Sequence, residues 1–130
     1  MILLDTHIVI WLALEPERIS RAAKKAIEGA RRESSGIAVC WDSLYEIARG
    51  VVRGRVQISD PLEIFLQRIE SFFVVKSMTI PIAIKAAQMP PSYPSDPIDR
   101  VIGATALIEG IPLITADRRI RESKVVHTIW

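Results

Sequence analysis

Two short runs of unbroken apolar residues, Ile2-Leu3-Leu4 and Ile37-Ala38-Val39-Cys40-Trp41, constrain the fold of this chain more than any other feature. A strand with one wet face alternates apolar and polar side chains. These two do not, so both of their faces must be buried, as happens in a parallel sheet covered by helices on each side. Each run leads into an aspartate, Asp5 or Asp42, and then into a helical pattern. Strand, turn and helix recur along the rest of the chain, which predicts a three-layer α/β/α architecture around a mostly parallel central sheet. A length of 130 residues fits a single domain spanning residues 1–130, and a chain of that size buries roughly two-thirds of its unfolded surface.

The remaining elements follow from periodicity and caps. Residues 8–14 read as an apolar helix and residues 19–32 as an amphipathic one, with Ser20 as its cap, Ala23, Ile27 and Ala30 inside, and Arg21, Lys24, Lys25 and Glu28 outside. Asp42 is expected to cap a helix whose inner face is Leu44, Ile47, Ala48 and Val51. Asp60-Pro61-Leu62-Glu63 reads as a capping box for a helix carrying Leu62, Leu66, Ile69 and Phe73. Residues 72–75 are expected to form a strand, 81–89 a helix and 90–94 an extended proline-rich loop. Asp96-Pro97-Ile98-Asp99-Arg100 starts a helix that Gly110 closes, with Asp96 at the cap and Pro97 at the first helical position. Residues 111–115 and 125–129 are two further strands, separated by the basic stretch 118–124.

In an open parallel sheet, ligands bind beyond the carboxyl ends of the strands. Asp5 and Asp117 follow strands, Glu46 lies one helical turn beyond another, and Asp96 and Asp99 begin the helix leading into the strand that Asp117 follows. One reading is that these acids only cap helices or complement helix dipoles. The other is that they gather at one sheet edge, where carboxylates repel one another unless a cation is present. An all-oxygen ligand set favours Mg²⁺ or Mn²⁺ over zinc, and such an ion activates water for phosphodiester hydrolysis. Arg49, Arg53, Arg100, Arg118 and Arg119 follow the acids closely, as a phosphate-binding rim or as solvated ion pairs.

Composition narrows the setting. The single cysteine, Cys40, excludes an intrachain disulfide and reads as a buried, inert thiol. The opening apolar stretch lacks a basic start, contains Asp5 and His7, and is too short to span a bilayer, so a soluble cytoplasmic protein is expected. A net charge of +2 selects no partner by itself.

Four blocks of sequence add what spacing cannot supply. Leu3-Leu4-Asp5-Thr6-His7 with Trp11-Leu12, then Ser43-Leu44-Tyr45-Glu46-Ile47-Ala48, then Asp96-Pro97-Ile98-Asp99-Arg100 with Ala104-Thr105-Ala106, and finally Pro112-Leu113-Ile114-Thr115-Ala116-Asp117 resemble, in order, the motifs of the PIN-domain family. More narrowly they resemble its VapC-type toxin ribonucleases. The resemblance implies a PIN fold and an Mg²⁺- or Mn²⁺-dependent endoribonuclease. Asp5, Glu46, Asp99 and Asp117 match the family's acidic quartet, and Asp96 matches a cap or auxiliary ligand. Thr115 matches a supporting hydroxyl, and Thr6 is placed to assist. The resemblance also implies a homodimer silenced by a VapB-like antitoxin. Many relatives carry a histidine two positions before the first acid of the third block; here Pro94-Ser95 precede Asp96. His7 matches the first block and is expected to be a hydrogen-bonded structural histidine.

Two other readings compete with the ribonuclease. A catalytically silent RNA- or partner-binding module on the same fold would show no metal-dependent cleavage. A receiver-like phosphoacceptor domain needs a lysine after a late strand, where this chain has Thr115 and Asp117.

Overall fold

The computed structural model describes all 130 residues. Five strands, β1 (Ile2–Leu4), β2 (Ile37–Cys40), β3 (Val74–Lys76), β4 (Leu113–Ile114) and β5 (Thr128–Ile129), lie in the order β3-β2-β1-β4-β5, and every neighbouring pair is parallel. The connecting helices are α1 (Thr6–Leu14), α2 (Arg21–Arg32), α3 (Trp41–Val52), α4 (Leu62–Phe72), α5 (Ile80–Ala87), α6 (Pro97–Glu109) and α7 (Arg118–Ser123), with a short 3-10 turn at Pro16–Arg18.

Side chains alternate between the faces of the sheet although hydrophobicity does not. Ile2, Leu4, Ile37 and Val39 enter a core completed by α1, α2, α3 and α4, through residues such as Ile8, Ile27, Ile47 and Phe65. Leu3, Ala38, Cys40 and Leu113 enter a second core with Tyr93, Ile102 and Ala106 of α6, and Ile120 of α7. Two cores on opposite faces account for the missing polar positions, because neither face of β1 or β2 meets water. Each fully buried Leu or Ile contributes ~1.5–3 kcal/mol to this arrangement. Burial also pushes the Cys40 thiol up to about 11, which keeps it protonated and unreactive.

The chain winds outward from β1 through β2 to β3 on one side and from β4 to β5 on the other. That reversal is a topological switch point, where folds of this kind form a crevice, here at the carboxyl ends of the adjacent strands β1 and β4. Asp5 and Asp117 follow these two strands.

Several local expectations are corrected. Asp42 is not a cap: α3 begins at Trp41 behind Cys40, with Asp42 in its first turn. Asp60-Pro61-Leu62-Glu63 forms no capping box, because Pro61 precedes α4 without a side-chain cap while Asp60 pairs with Arg68. The strands after residues 110 and 124 are shorter than expected, each reduced to two residues. Part of the basic stretch 118–124 is helical, as α7. Other caps are as expected: Ser20 accepts from Ala23 N–H at 3.1 Å, Asp96 caps α6, and Gly110 closes α6 with φ 65°. No helix is long and apolar enough to cross a membrane.

Candidate active site

Asp5 is almost completely buried, 2% exposed, at the end of β1. Its Oδ1 accepts from the Thr6 N–H at 2.8 Å, capping α1, and its Oδ2 accepts from the Thr115 hydroxyl at 2.6 Å. Thr115 Oγ1 in turn accepts from the Asp117 N–H at 3.1 Å, so β1 and β4 are joined at the crevice by a directed chain of hydrogen bonds. Asp117 caps α7, accepting from Arg119 and Ile120 N–H at 2.8 and 3.1 Å through Oδ1. The Thr6 and Ser43 hydroxyls are hydrogen-bonded to each other, Oγ1 to Oγ 3.0 Å, tying the start of α1 to the start of α3, the helix that carries Glu46.

His7 is half-buried, and its Nε2 accepts from the Ala116 N–H at 3.0 Å. The neutral ring therefore carries its proton on Nδ1, which stands 3.5 Å from Asp5 Oδ2. Its edge meets Trp11 with ring centroids 4.9 Å apart. His7 thus braces the loop after β4 against α1.

Asp96 Oδ1 accepts from the N–H groups of Ile98 and Asp99 at 2.9 and 3.1 Å. This cap fixes the first turn of α6, and with it the backbone of Asp99. The Asp99 carboxyl is pushed up to about 7, first by burial and then by the charges of Asp5, Asp96, Glu46 and Asp117. Glu46 is also raised, chiefly by burial; the Thr6 hydroxyl and, more weakly, Arg49 oppose that, while Asp5 and Asp96 add to it. All five acids therefore share one electrostatic field.

The field distinguishes two kinds of acid. Asp5, Asp96 and Asp117 each cap a helix and so have a structural use. Asp99 and Glu46 cap nothing, yet both stand half-buried among like charges, which opposes their ionisation. Burial of this kind marks functional sites. An oxygen-only donor set under mutual repulsion suits a hard divalent cation such as Mg²⁺ or Mn²⁺. In this arrangement no three His, Cys, Asp or Glu side chains stand at metal-ligand spacing.

The cations divide. Arg100 does not stand on a phosphate rim: its Nη1 donates to the Met89 carbonyl at 2.8 Å and its Nε to that of Pro94 at 3.0 Å, while Nη2 reaches the carbonyls of Pro90 and Tyr93. Its guanidinium is the clasp of the proline-rich loop. Arg49 is exposed beside Glu46, and Arg118 is exposed with its Nε 2.7 Å from Glu122. Sequence reasoning missed Ser43 and Tyr93. Ser43 lies inside a motif block, but its pairing with Thr6 spans 37 residues and has no local signal.

A parallel sheet with acids at its switch point defines a class of α/β protein with an acidic candidate site, and comparison with known proteins makes the class specific. The PIN domain family model matches residues 2–125, and the chain belongs to this family. It is 37% identical to "Ribonuclease VapC22" of Mycobacterium tuberculosis (strain ATCC 25618 / H37Rv) over 131 residues, covering 99% of this chain and 98% of that one. The fold is similar to that of VapBC2 from Rickettsia felis bound to a DNA fragment from their promoter, with TM-score 0.70 and 15% identity, covering 98% and 97% of the two chains. It is also similar to a toxin–antitoxin complex from Klebsiella pneumoniae, with TM-score 0.65 and 23% identity, covering 92% and 89%.

Proposed function

We propose that this PIN-domain protein is a VapC-type endoribonuclease, the toxin of a VapBC-type toxin–antitoxin pair, which hydrolyses RNA phosphodiester bonds with Mg²⁺ or Mn²⁺. The observation that carries the metal site is the placement of Asp99 and Glu46, half-buried carboxylates without a capping role in the field of Asp5 and Asp96. Asp5, Glu46, Asp99 and Asp117 would hold the metal, with Asp96 as an auxiliary acid. When bound, such an ion lowers the pKa of water and offsets negative charge on the phosphoryl oxygens. Thr115 and Thr6 fix the two oxygens of Asp5, and the Asp96 cap fixes the backbone at Asp99; with these held, metal binding would require the Glu46 and Asp99 side chains to turn inward. Arg49 and Arg118, both exposed near the acids, supply phosphate contacts along the RNA.

The partner surfaces belong to the same proposal. An apolar groove of about 740 Å³ runs between α1, α2 and α4, lined by Leu12, Phe65, Ile69, Phe72 and Phe73, with Arg31, Asp60 and Arg68 also on its wall. We assign it to an apolar segment of a VapB-like antitoxin. A separate exposed face carrying Ile80 and Ile84 of α5 and Leu107 and Ile108 of α6 suits a second copy of the chain. Cytoplasmic action fits an RNA substrate and a free, buried thiol.

Activity is tested by incubating purified protein with structured and unstructured RNA, with Mn²⁺ or with EDTA. Cleavage dependent on the ion supports the enzyme; its absence on every RNA offered, with the fold intact, would favour the silent binding module. Phe72 is 77% exposed, so Phe72→Asp should keep the fold and the cleavage while losing neutralisation by the antitoxin. Full neutralisation of that variant would remove the groove from the proposal.

A further inference from the structure

The Tyr93 hydroxyl is the one buried side-chain polar atom in the protein with no hydrogen-bond partner. The residue is only 2% exposed, so water does not reach it freely. Buried hydroxyls are ordinarily paired, and one left alone opposes folding. Nothing about the loop lets the ring swing away, because Arg100 grips the carbonyls of Met89 and Pro94 on either side of it. The ring lies directly on Gly103 of α6, where a Cβ would overlap the hydroxyl and stand 2.6 Å from Cζ.

Gly103 lies four residues beyond Asp99, so the two share a face of α6, one turn apart. The phenol also lies within the field of Asp5, Asp99 and Asp117. Hydrogen bonds relieve Asp5 and Asp117, and the Thr6 hydroxyl eases Glu46. No hydrogen bond from the protein eases Asp99. A donor without an acceptor thus lies one turn of α6 from a carboxylate without a protein donor.

We propose that Tyr93 is a positioning residue of the acidic site, its hydroxyl donating to the Asp99 carboxylate, directly or through one ordered water, when that carboxylate turns to hold a divalent cation. The inference rests on the reading of the acids as a cation site. It gives the Pro91-Ser92-Tyr93-Pro94 loop, the Arg100 clasp and Gly103 a common purpose, namely to hold one phenol behind one metal ligand.

The protein has two tyrosines, Tyr93 and the exposed Tyr45, so a ¹³C-tyrosine-labelled sample gives two Cζ resonances, which Tyr45→Phe assigns. Titrating Mg²⁺ alone into the full chain should move the Tyr93 signal with the binding curve and leave the Tyr45 signal in place. In calorimetry, Tyr93→Phe should bind Mg²⁺ roughly ten-fold more weakly, while its metal-free melting temperature is unchanged or higher. Saturable Mg²⁺ binding with a stationary Tyr93 signal and unaltered affinity in Tyr93→Phe would overturn this inference alone. Failure of the wild type to bind Mg²⁺ or Mn²⁺ at all would overturn the cation site and this inference with it.

Discussion

Burial and the surrounding acids hold the Asp99 carboxyl at about 7, above its ordinary 3.8, so the folded protein binds that proton more tightly than the unfolded chain does. The associated stability is fully present below about pH 4 and is lost as pH rises through about 7. Asp99→Asn removes the unfavourable charge. In the metal-free protein it should therefore add about 1–2 kcal/mol at pH 8, after discounting for partial solvent screening, and much less at pH 5. Urea unfolding at the two pH values reads the difference, and an equal change at both would remove this account of Asp99. Thr115 works in the opposite sense, because its oxygen both donates to Asp5 and accepts from Asp117 N–H. Thr115→Val keeps the shape but deletes both bonds, and should lower the unfolding free energy by about 1–3 kcal/mol, measured by the same titration.

The start of α6 shows what local sequence chemistry carries and where it stops. Asp96 and Pro97 were legible as cap and first helical position, because a cap is written within four residues. The same pattern at Asp60-Pro61-Leu62-Glu63 misled, since Arg68, two turns into α4, draws the Asp60 carboxylate away from the helix end. Arg100 misled for a related reason: an arginine beside an acid reads as a phosphate ligand, whereas four carbonyls of a proline-rich loop claim its guanidinium. No composition signal announces carbonyls that a turn aims at one distant guanidinium. Arg100→Lys cannot span that fork of acceptors and should destabilise the protein by about 1–3 kcal/mol. The midpoint of thermal unfolding reports that loss; an unchanged midpoint together with weaker RNA binding would return Arg100 to the phosphate rim.

The molecule as a whole was the most legible level. Unalternated apolar strands demand helices on both faces, and the two cores meeting at Leu3 and Leu4 satisfy that demand. All five strands proved parallel, and the reversal between β1 and β4 brings Asp5 and Asp117 together across more than a hundred residues. What the sequence left open was the separation of acids that cap from acids that only burden the fold, because capping and metal binding select the same residue at the same strand end. Geometry separates them at Asp99 and Glu46. If exposed arginines guide the RNA, raising salt from 50 to 200 mM should weaken RNA binding, and Arg49→Ala with Arg118→Ala should flatten that dependence by about one to two units of log–log slope; an unchanged slope would exclude both from the phosphate path. The central claim is tested most directly by single-turnover cleavage of an RNA substrate with saturating Mn²⁺, comparing wild type, Asp5→Asn and Asp99→Asn, each with its fold checked by circular dichroism. The expected result is cleavage by the wild type alone, abolished by EDTA, with both variants folded and at least ~100-fold slower. Folded variants cleaving at the wild-type rate, or cleavage indifferent to EDTA, would contradict it.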